Sequence, residues 1–492
     1  MFGTERQFCC FTLEGKQCLG ELVLNGETSL LQLHSRHPIP YTREPQSLYG
    51  ETLDYQKISL FECVGESPSA EGTYPNFAFQ RATFPHYAAI GARHIGENEA
   101  LFRSVSFRTD DLGLIFAARG TFGSAHPDKD DLHCLLDKSF QPAWVEVANN
   151  PLIFYFTGTK DAIDTDISSG LFSAALEFEA KTSDHTGIQC NSDTKATLKF
   201  LQPKTLLEVV EEVFALSLFI TTIAGRGQSI SNLTADIFES SPSTMPSALE
   251  KMAIHWSFAP TISRQAASSI RDIPITPQID QVEFYQVFRQ WRQRHKEWQP
   301  SRLRIINLQK FGREYDENRL VAAANAFDIL PNSVYPDSGE LSSEATKAKK
   351  DCQAIIQSLK PGPERDQISN TLAFWGGRSL RLKTLSRSQV VRKAIGGTLD
   401  DLDDILKVAI LARNYFVHGS NKFGWDHYSH LIAFFTDALE FVFVASDLIE
   451  CGWNAENWVA RTTGHSHPLS AFIKGYTNNA TAFRLAEESA KQ

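Results

Sequence analysis

The sequence predicts an α+β multidomain chain: a β-rich N-terminal region, built as a sandwich or open barrel, followed by a C-terminal all-α helical bundle. Three observations carry this expectation. Over roughly the first two hundred residues, short apolar runs alternate with Gly, Pro, Asp and Asn clusters, the pattern of an all-β unit. From Phe311 onward the apolar residues recur at helical spacing and the connections are short, as in a bundle. Between the two, the 205–224 run places Leu206, Leu207, Val210, Val213, Phe214 and Leu218 on one wide apolar helix face. The expected divisions are a β-rich region at 1–202, a mixed and mainly helical connection at 203–304, the bundle at 305–455 and an extension at 456–492.

In chain order, Leu22-Val23-Leu24, Asn25-Gly26 and Leu30-Leu31-Gln32-Leu33 predict a hairpin, because Asn-Gly suits a type I′ turn. Further strands are expected over 59–63, 105–107, 112–116, 144–147, 152–156 and 197–201. Asp110-Asp111 and Asp128-Lys129-Asp130-Asp131 read as solvated turns. His126 and His133 flank the second, at a spacing that matches no metal motif. Gly225-Arg226-Gly227 closes the 205–224 helix and lacks the Lys-Ser/Thr of a phosphate loop. The Ser- and Pro-rich stretch 239–247 is an exposed linker.

A helix over 280–298 ends in Arg289-Gln290-Trp291-Arg292-Gln293-Arg294-His295-Lys296. Basic residues interleaved with an aromatic suit a nucleic-acid surface, and equally a solvated helix face with Trp291 packed inward; we take the second reading. In the bundle, Asp316 caps a helix bearing Leu320, Ala323, Ala324 and Phe327, which Pro331 stops. Helices follow around Ile355, Ile356 and Leu359, over 364–375 and over 385–394. Two longer ones span about 400–418, with Asp400 or Asp401 as cap, and 426–449.

The chain has a net charge of −10 and 22% charged residues, which argues against a coat of non-specific nucleic-acid contacts but leaves room for a local basic cleft. Its eight cysteines form no CxxC pair, and the N-terminus has no signal-peptide pattern, so reduced thiols and a cytoplasmic location are expected. The most apolar stretch, 431–449, contains Asp437, Glu440 and Asp447. Each acid costs roughly 2.5–3.5 kcal/mol at a bilayer centre, so this is a core helix and no membrane partner is expected.

Chemistry concentrates in Arg413-Asn414-Tyr415-Phe416-Val417-His418, followed by Gly419. Gly419 suits the residue after a helix end, so the motif occupies the last turn. Asn414 and His418 are four apart and share a face, and the long Arg413 side chain can reach round to them. The negative helix end favours a guanidinium and an imidazolium there. An arginine to bind a phosphodiester and an imidazole to move protons are the equipment for cutting RNA without a metal. Basic residues also cap last helical turns routinely, and spacing alone does not separate the two readings.

The surroundings favour chemistry. Between Gly376 and Lys422 stand nine positive residues (Arg378, Arg381, Lys383, Arg387, Arg392, Lys393, Lys407, Arg413, Lys422) against the four acids Asp400, Asp401, Asp403 and Asp404. Of these, Arg378, Arg381, Lys383 and Lys422 are candidate RNA contacts, and Asp328, in the first bundle helix, is a candidate to orient the imidazole.

With these residues the bundle resembles a HEPN domain, whose ribonuclease members carry Arg-x4–6-His, often with Asn after the Arg; Arg413, Asn414 and His418 match it position by position. Such domains frequently carry Glu where Asp328 is the candidate here. The layout, a β-rich half before a HEPN bundle, resembles the ApeA family of bacterial anti-phage defence proteins. The resemblance implies a metal- and cofactor-independent endoribonuclease acting by abortive infection, with tRNA or other cellular RNA as target. It also implies homodimers or higher homo-oligomers that pair two bundles around one composite cleft, and a phage-derived trigger. The alternative is a non-catalytic HEPN module for dimerisation or sensing.

Overall fold

A computed structural model describes residues 6–73, 76–117, 120–139, 146–158, 161–183, 187–237, 250–261, 265–309, 311–335, 342–373, 379–397, 399–419 and 423–491. The chain divides into two compact units. One comprises Met1–Ile220, Gln228–Ile262 and Thr276–Gln281; the other comprises Thr221–Gly227, Ser263–Ile275 and Val282–Gln492. The first is β-rich and the second helical, the α+β architecture that the sequence predicts.

The first unit holds β1 (Gln7–Leu13), β2 (Lys16–Val23), β3 (Leu30–Ser35), β4 (Gln46–Thr52), β5 (Lys57–Gly65), β6 (Ser69–Thr73), β7 (Asn76–Phe84), β8 (Tyr87–Gly91) and β9 (Phe102–Arg108). There follow α1 (Leu112–Ile115), β10 (Phe122–Ala125), α2 (Lys129–Ser139), β11 (Ile153–Phe156), β12 (Asp161–Ile167), β13 (Gly170–Ser183), β14 (Gly187–Lys204), α3 (Leu206–Ala224), β15 (Ser231–Ile237) and β16 (Glu250–Trp256). Among the described residues, fourteen strands form one sheet in the order β12-β13-β14-β9-β15-β16-β8-β5-β4-β1-β2-β3-β7-β6. Because β5 also pairs with β7, the strands β5-β4-β1-β2-β3-β7 close on themselves as a six-stranded antiparallel barrel, and the rest extend from it as an open sheet.

Alternation places Phe11, Leu22, Leu31, Leu33, Leu48, Ile58 and Leu60 in the barrel core. Glycine makes room for the largest of them: a Cβ on Gly50 would stand 2.7 Å from the Phe11 ring.

Four local expectations in this unit are corrected. The β2–β3 hairpin forms, but Val23 pairs with Leu30, so six residues bridge the strands instead of a two-residue type I′ turn. Asn25 has φ −140°, where that turn needs a positive value, and Gly26–Thr28 coil into a 3-10 turn. The 112–116 strand is the single helical turn α1, whose Leu112, Ile115 and Phe116 are buried at helical spacing. A short apolar run does not fix its own period. Glu146 and Val147 lie in no strand, and 144–145 and 239–247 lie outside the described residues. Asp128 is the cap of α2, its carboxylate accepting from the Asp131 N–H at 2.9 Å.

The second unit contains α4 (Gln281–Gln309), α5 (Glu317–Asp328), α6 (Ser343–Ser358), α7 (Pro363–Ala373), α8 (Leu380–Ile395), α9 (Leu402–His418), α10 (Ile432–Glu450), α11 (Ala455–Arg461) and α12 (Pro468–Lys491). Helix α4 runs beyond the expected 298 and through Pro300. The 426–449 helix begins only at Ile432, after 3-10 turns at Trp425–His427 and Ser429–Leu431. Among the described residues no helix is long and apolar enough to cross a membrane.

Helix α10 is buried from Ala438 to Leu448, yet three of its four acids, Glu440, Asp447 and Glu450, meet arginines. Arg319 of α5 donates to both Glu440 oxygens at 2.8 and 3.0 Å. Arg302 of α4 grips Asp447 at 2.7 and 2.9 Å. Arg387 of α8 bonds Glu450 and Ser446, and Arg294 bonds Glu450. Such pairs are costly to desolvate, but an unpaired member costs far more, so they dictate helix register. They also account for the 289–296 segment. Trp291 is packed inward as expected, with Arg292 and His295 buried and Arg294 ion-paired, while Arg289, Gln290, Gln293 and Lys296 are exposed, so the segment has a core face and the expected solvated one.

Removing one partner should therefore be severe. We expect Glu440→Ala to destabilise the chain by roughly 3–5 kcal/mol in urea unfolding, with Arg319→Met/Glu440→Leu recovering most of the loss. Beside this pair, burial pushes the Asp437 carboxyl up to about 7, against the lowering effect of the Tyr315 hydroxyl that donates to it at 2.7 Å. Between the usual ~4 and this value the unfolded chain is ionised while the folded one keeps its proton, so this group's contribution falls as pH rises. Asp437→Asn should remove that fall; parallel stability curves for the two proteins from about pH 5 to about pH 7 would refute it.

Candidate active site

Helix α9 forms because Leu402, Ile405, Leu406, Ala409, Ile410 and Ala412 bury one face, and the helix packs against α5, α8 and α10. Gly419 ends it in the left-handed region at φ 65°, its N–H donating to Tyr415 O at 2.9 Å. Asp401 occupies the N-cap position without capping through its side chain; its carboxylate pairs with Arg484 at 2.6 Å instead.

The last turn gathers the three residues of the motif. Arg413 Nη1 lies 3.1 Å from Asn414 Oδ1 and 3.3 Å from His418 Nε2. The other edge of the guanidinium is held by α5, where Asn325 Oδ1 accepts from Arg413 Nε at 3.1 Å and Nη2 at 2.9 Å. A guanidinium has only donors, so His418 Nε2 meets it through its lone pair, the state in which that nitrogen can accept a proton. His418 is exposed, while Arg413, Asn414 and Asn325 are half-buried. The turn thus presents a fixed cation and a proton acceptor at the surface.

Asn325 is absent from the sequence expectations. Its signal is a single amide within the apolar run Val321-Ala322-Ala323-Ala324-Asn325-Ala326-Phe327. Asp328, the residue expected to orient the imidazole, sits one turn further along α5, and its carboxylate and carbonyl both accept from Lys383 Nζ, at 2.9 and 2.6 Å. Lys383 is thereby committed to an intramolecular ion pair. Arg381 is exposed, and Arg378 and Lys422 lie outside the described residues.

Four of the nine positive residues, Lys383 among them, pair with carboxylates. Arg387 joins Glu450, Arg392 joins Asp403 and Lys407 joins Asp404. His427 is exposed, its Nδ1 3.2 Å from Ser489 Oγ, and His430 is exposed. Among the described residues no three His, Cys, Asp or Glu side chains stand together as a metal site, the His126–His133 stretch included.

Two family models match the chain: ApeA N-terminal domain 1 over residues 11–291, more than half its length, and Apea-like HEPN over residues 321–457. Searches of curated proteins and of solved structures each gave no match.

The geometry makes Asn325 the anchor of Arg413. Asn325→Leu should destabilise the chain by about 1–2 kcal/mol, the scale of partly exposed bonds from a charged donor. An unchanged urea midpoint would mean that the guanidinium is held by other groups.

Proposed function

The chain belongs to the ApeA family, and from that premise we propose that it is a metal-independent endoribonuclease of anti-phage defence, cleaving tRNA or other cellular RNA by attack of the 2′-hydroxyl. The observation that carries the reading is the placement of Arg413 Nη1 between Asn414 Oδ1 and His418 Nε2 at the open end of α9. A coat of bound guanidinium and amide suits a phosphodiester, not a divalent cation.

In the proposed reaction a 2′-oxygen bonds to the adjacent phosphorus and the bond from phosphorus to the 5′-oxygen breaks. The 2′-hydroxyl gives up a proton and the departing 5′-oxygen gains one, leaving 2′,3′-cyclic phosphate and 5′-hydroxyl ends. His418 Nε2 takes the first proton. Protonation ends its acceptance from Arg413, so the freed Nη1 N–H turns to the phosphorane as negative charge builds there. Asn325 keeps the guanidinium aimed through this exchange, and Asn414 shares Nη1 or bonds the phosphate. A second bundle, supplied by another copy of the chain, brings the second imidazole to protonate the leaving oxygen in a composite cleft. A phage-derived trigger is the further partner of this reading.

With EDTA present, wild type should cut RNA and leave cyclic phosphate ends, while His418→Ala should be slower by on the order of 10²–10⁴-fold. Equal behaviour of the two proteins would make His418 a helix-end residue and favour the dimerisation or sensor module.

A further inference from the structure

Beyond the motif, the end of α9 continues into a cluster of rings. Tyr415 and Phe416 follow Asn414 directly, and Tyr415 stands three residues before His418, on the same side of the last turn. Phe423 and Trp425 come back onto them. The Phe416 and Trp425 centroids are 4.9 Å apart and edge-to-face, and Tyr415 lies 6.3 Å from Phe423 and 6.5 Å from Trp425. Phe423 in turn lies parallel to Tyr428 at 5.5 Å and 4°. Tyr428 is buried and touches Phe435 and Phe483, so the cluster is rooted in the core. The four outer rings, Tyr415, Phe416, Phe423 and Trp425, are only half-buried.

From this we infer that the four rings form a stacking shelf for an unpaired nucleobase of the RNA, next to the phosphate that His418 and Arg413 engage. The inference rests on the ribonuclease reading. In-line attack by a 2′-oxygen requires a backbone released from helical geometry, and the neighbouring base then leaves its stack. Such a base needs a π-face to replace the one it lost, and rings beside the cutting residues supply it. Every base has a π-face, so the shelf selects single-stranded over duplex RNA and tolerates sequence. A protein neighbour is better served by the branched aliphatic side chains of the same helix, Leu411 and Val417, which are 48% and 44% exposed.

The test uses full-length His418→Ala, which keeps the RNA intact, and measures binding of an unpaired oligoribonucleotide, its duplex, and the same strand carrying one abasic nucleotide. Adding Trp425→Leu should weaken single-strand binding on the order of 10-fold, whereas Trp425→Phe should restore most of it. Scanning the abasic position should find one nucleotide whose base matters with Trp425 present and not with Trp425→Leu. Equal binding by Trp425→Leu, or no abasic position that matters in the otherwise intact protein, overturns the shelf. So does a loss of binding that tracks a fall in oligomeric mass by light scattering, which would make the rings a contact between copies. Wild type unable to cut RNA in EDTA, with the abasic effect intact, refutes the ribonuclease reading alone. Normal cutting without the abasic effect refutes the shelf alone.

Discussion

The helical unit depends on the match between the acids of one buried helix and arginines from three others. Helix α10 brings Glu440 and Asp447 into the interior, where an unpaired carboxylate would cost several kcal/mol. Arg319, Arg302 and Arg387 meet α10 from α5, α4 and α8, and each bond satisfied this way fixes how far its helix is advanced and rotated. For α5 the consequence reaches the surface. With Arg319 committed to Glu440, the same helix presents Asn325 to α9, and Asn325 takes two N–H groups of Arg413. A buried ion pair thereby sets the direction of an exposed guanidinium.

At the end of α9 the arginine is the hub. Its bonds to Asn325, Asn414 and His418 commit N–H groups on all three guanidinium nitrogens. In the proposed reaction, proton transfer to His418 would release one of these donors as a phosphorane forms, and would so couple the base step to charge stabilisation without moving the backbone. Arginine suits this position because its planar fork holds several partners in fixed directions, whereas a lysine would offer a single point charge.

A local signal in the sequence is legible where it decides the outcome alone. The Asp316 cap forms, its carboxylate accepting from the Arg319 N–H at 2.7 Å, and Gly419 ends α9 as its conformational freedom allows. The Arg413, Asn414 and His418 side chains meet because helical spacing brings them together. Partners that are distant in sequence were not legible. Asn325 and Arg413 are 88 residues apart, and nothing in the local pattern of α5 says whether Asn325 or Asp328 faces α9. Helix α4 continues past Pro300 because Arg302 is fixed by Asp447, a contact 145 residues away. The charge of the basic stretch around the motif overstates what is free to bind, because composition counts charges without their partners; folding pairs Lys383, Arg387, Arg392 and Lys407 with carboxylates. The six-residue β2–β3 connection is a local exception: two signals compete there, and the Ser29 hydroxyl, which donates to Gly26 O at 2.6 Å and accepts from the Asn25 N–H at 3.0 Å, prevails over Asn25-Gly26.

In the proposed function the end of α9 cuts RNA by using the substrate's own 2′-hydroxyl. The most direct measurement is cleavage, in EDTA, of an RNA in which the single nucleotide on the 5′ side of the mapped cut carries a 2′-deoxy sugar. Loss of this one oxygen should abolish cutting at that linkage and leave other sites unchanged. Continued cutting at the deoxy linkage would show that water or another nucleophile attacks the phosphorus, and would contradict the proposed function.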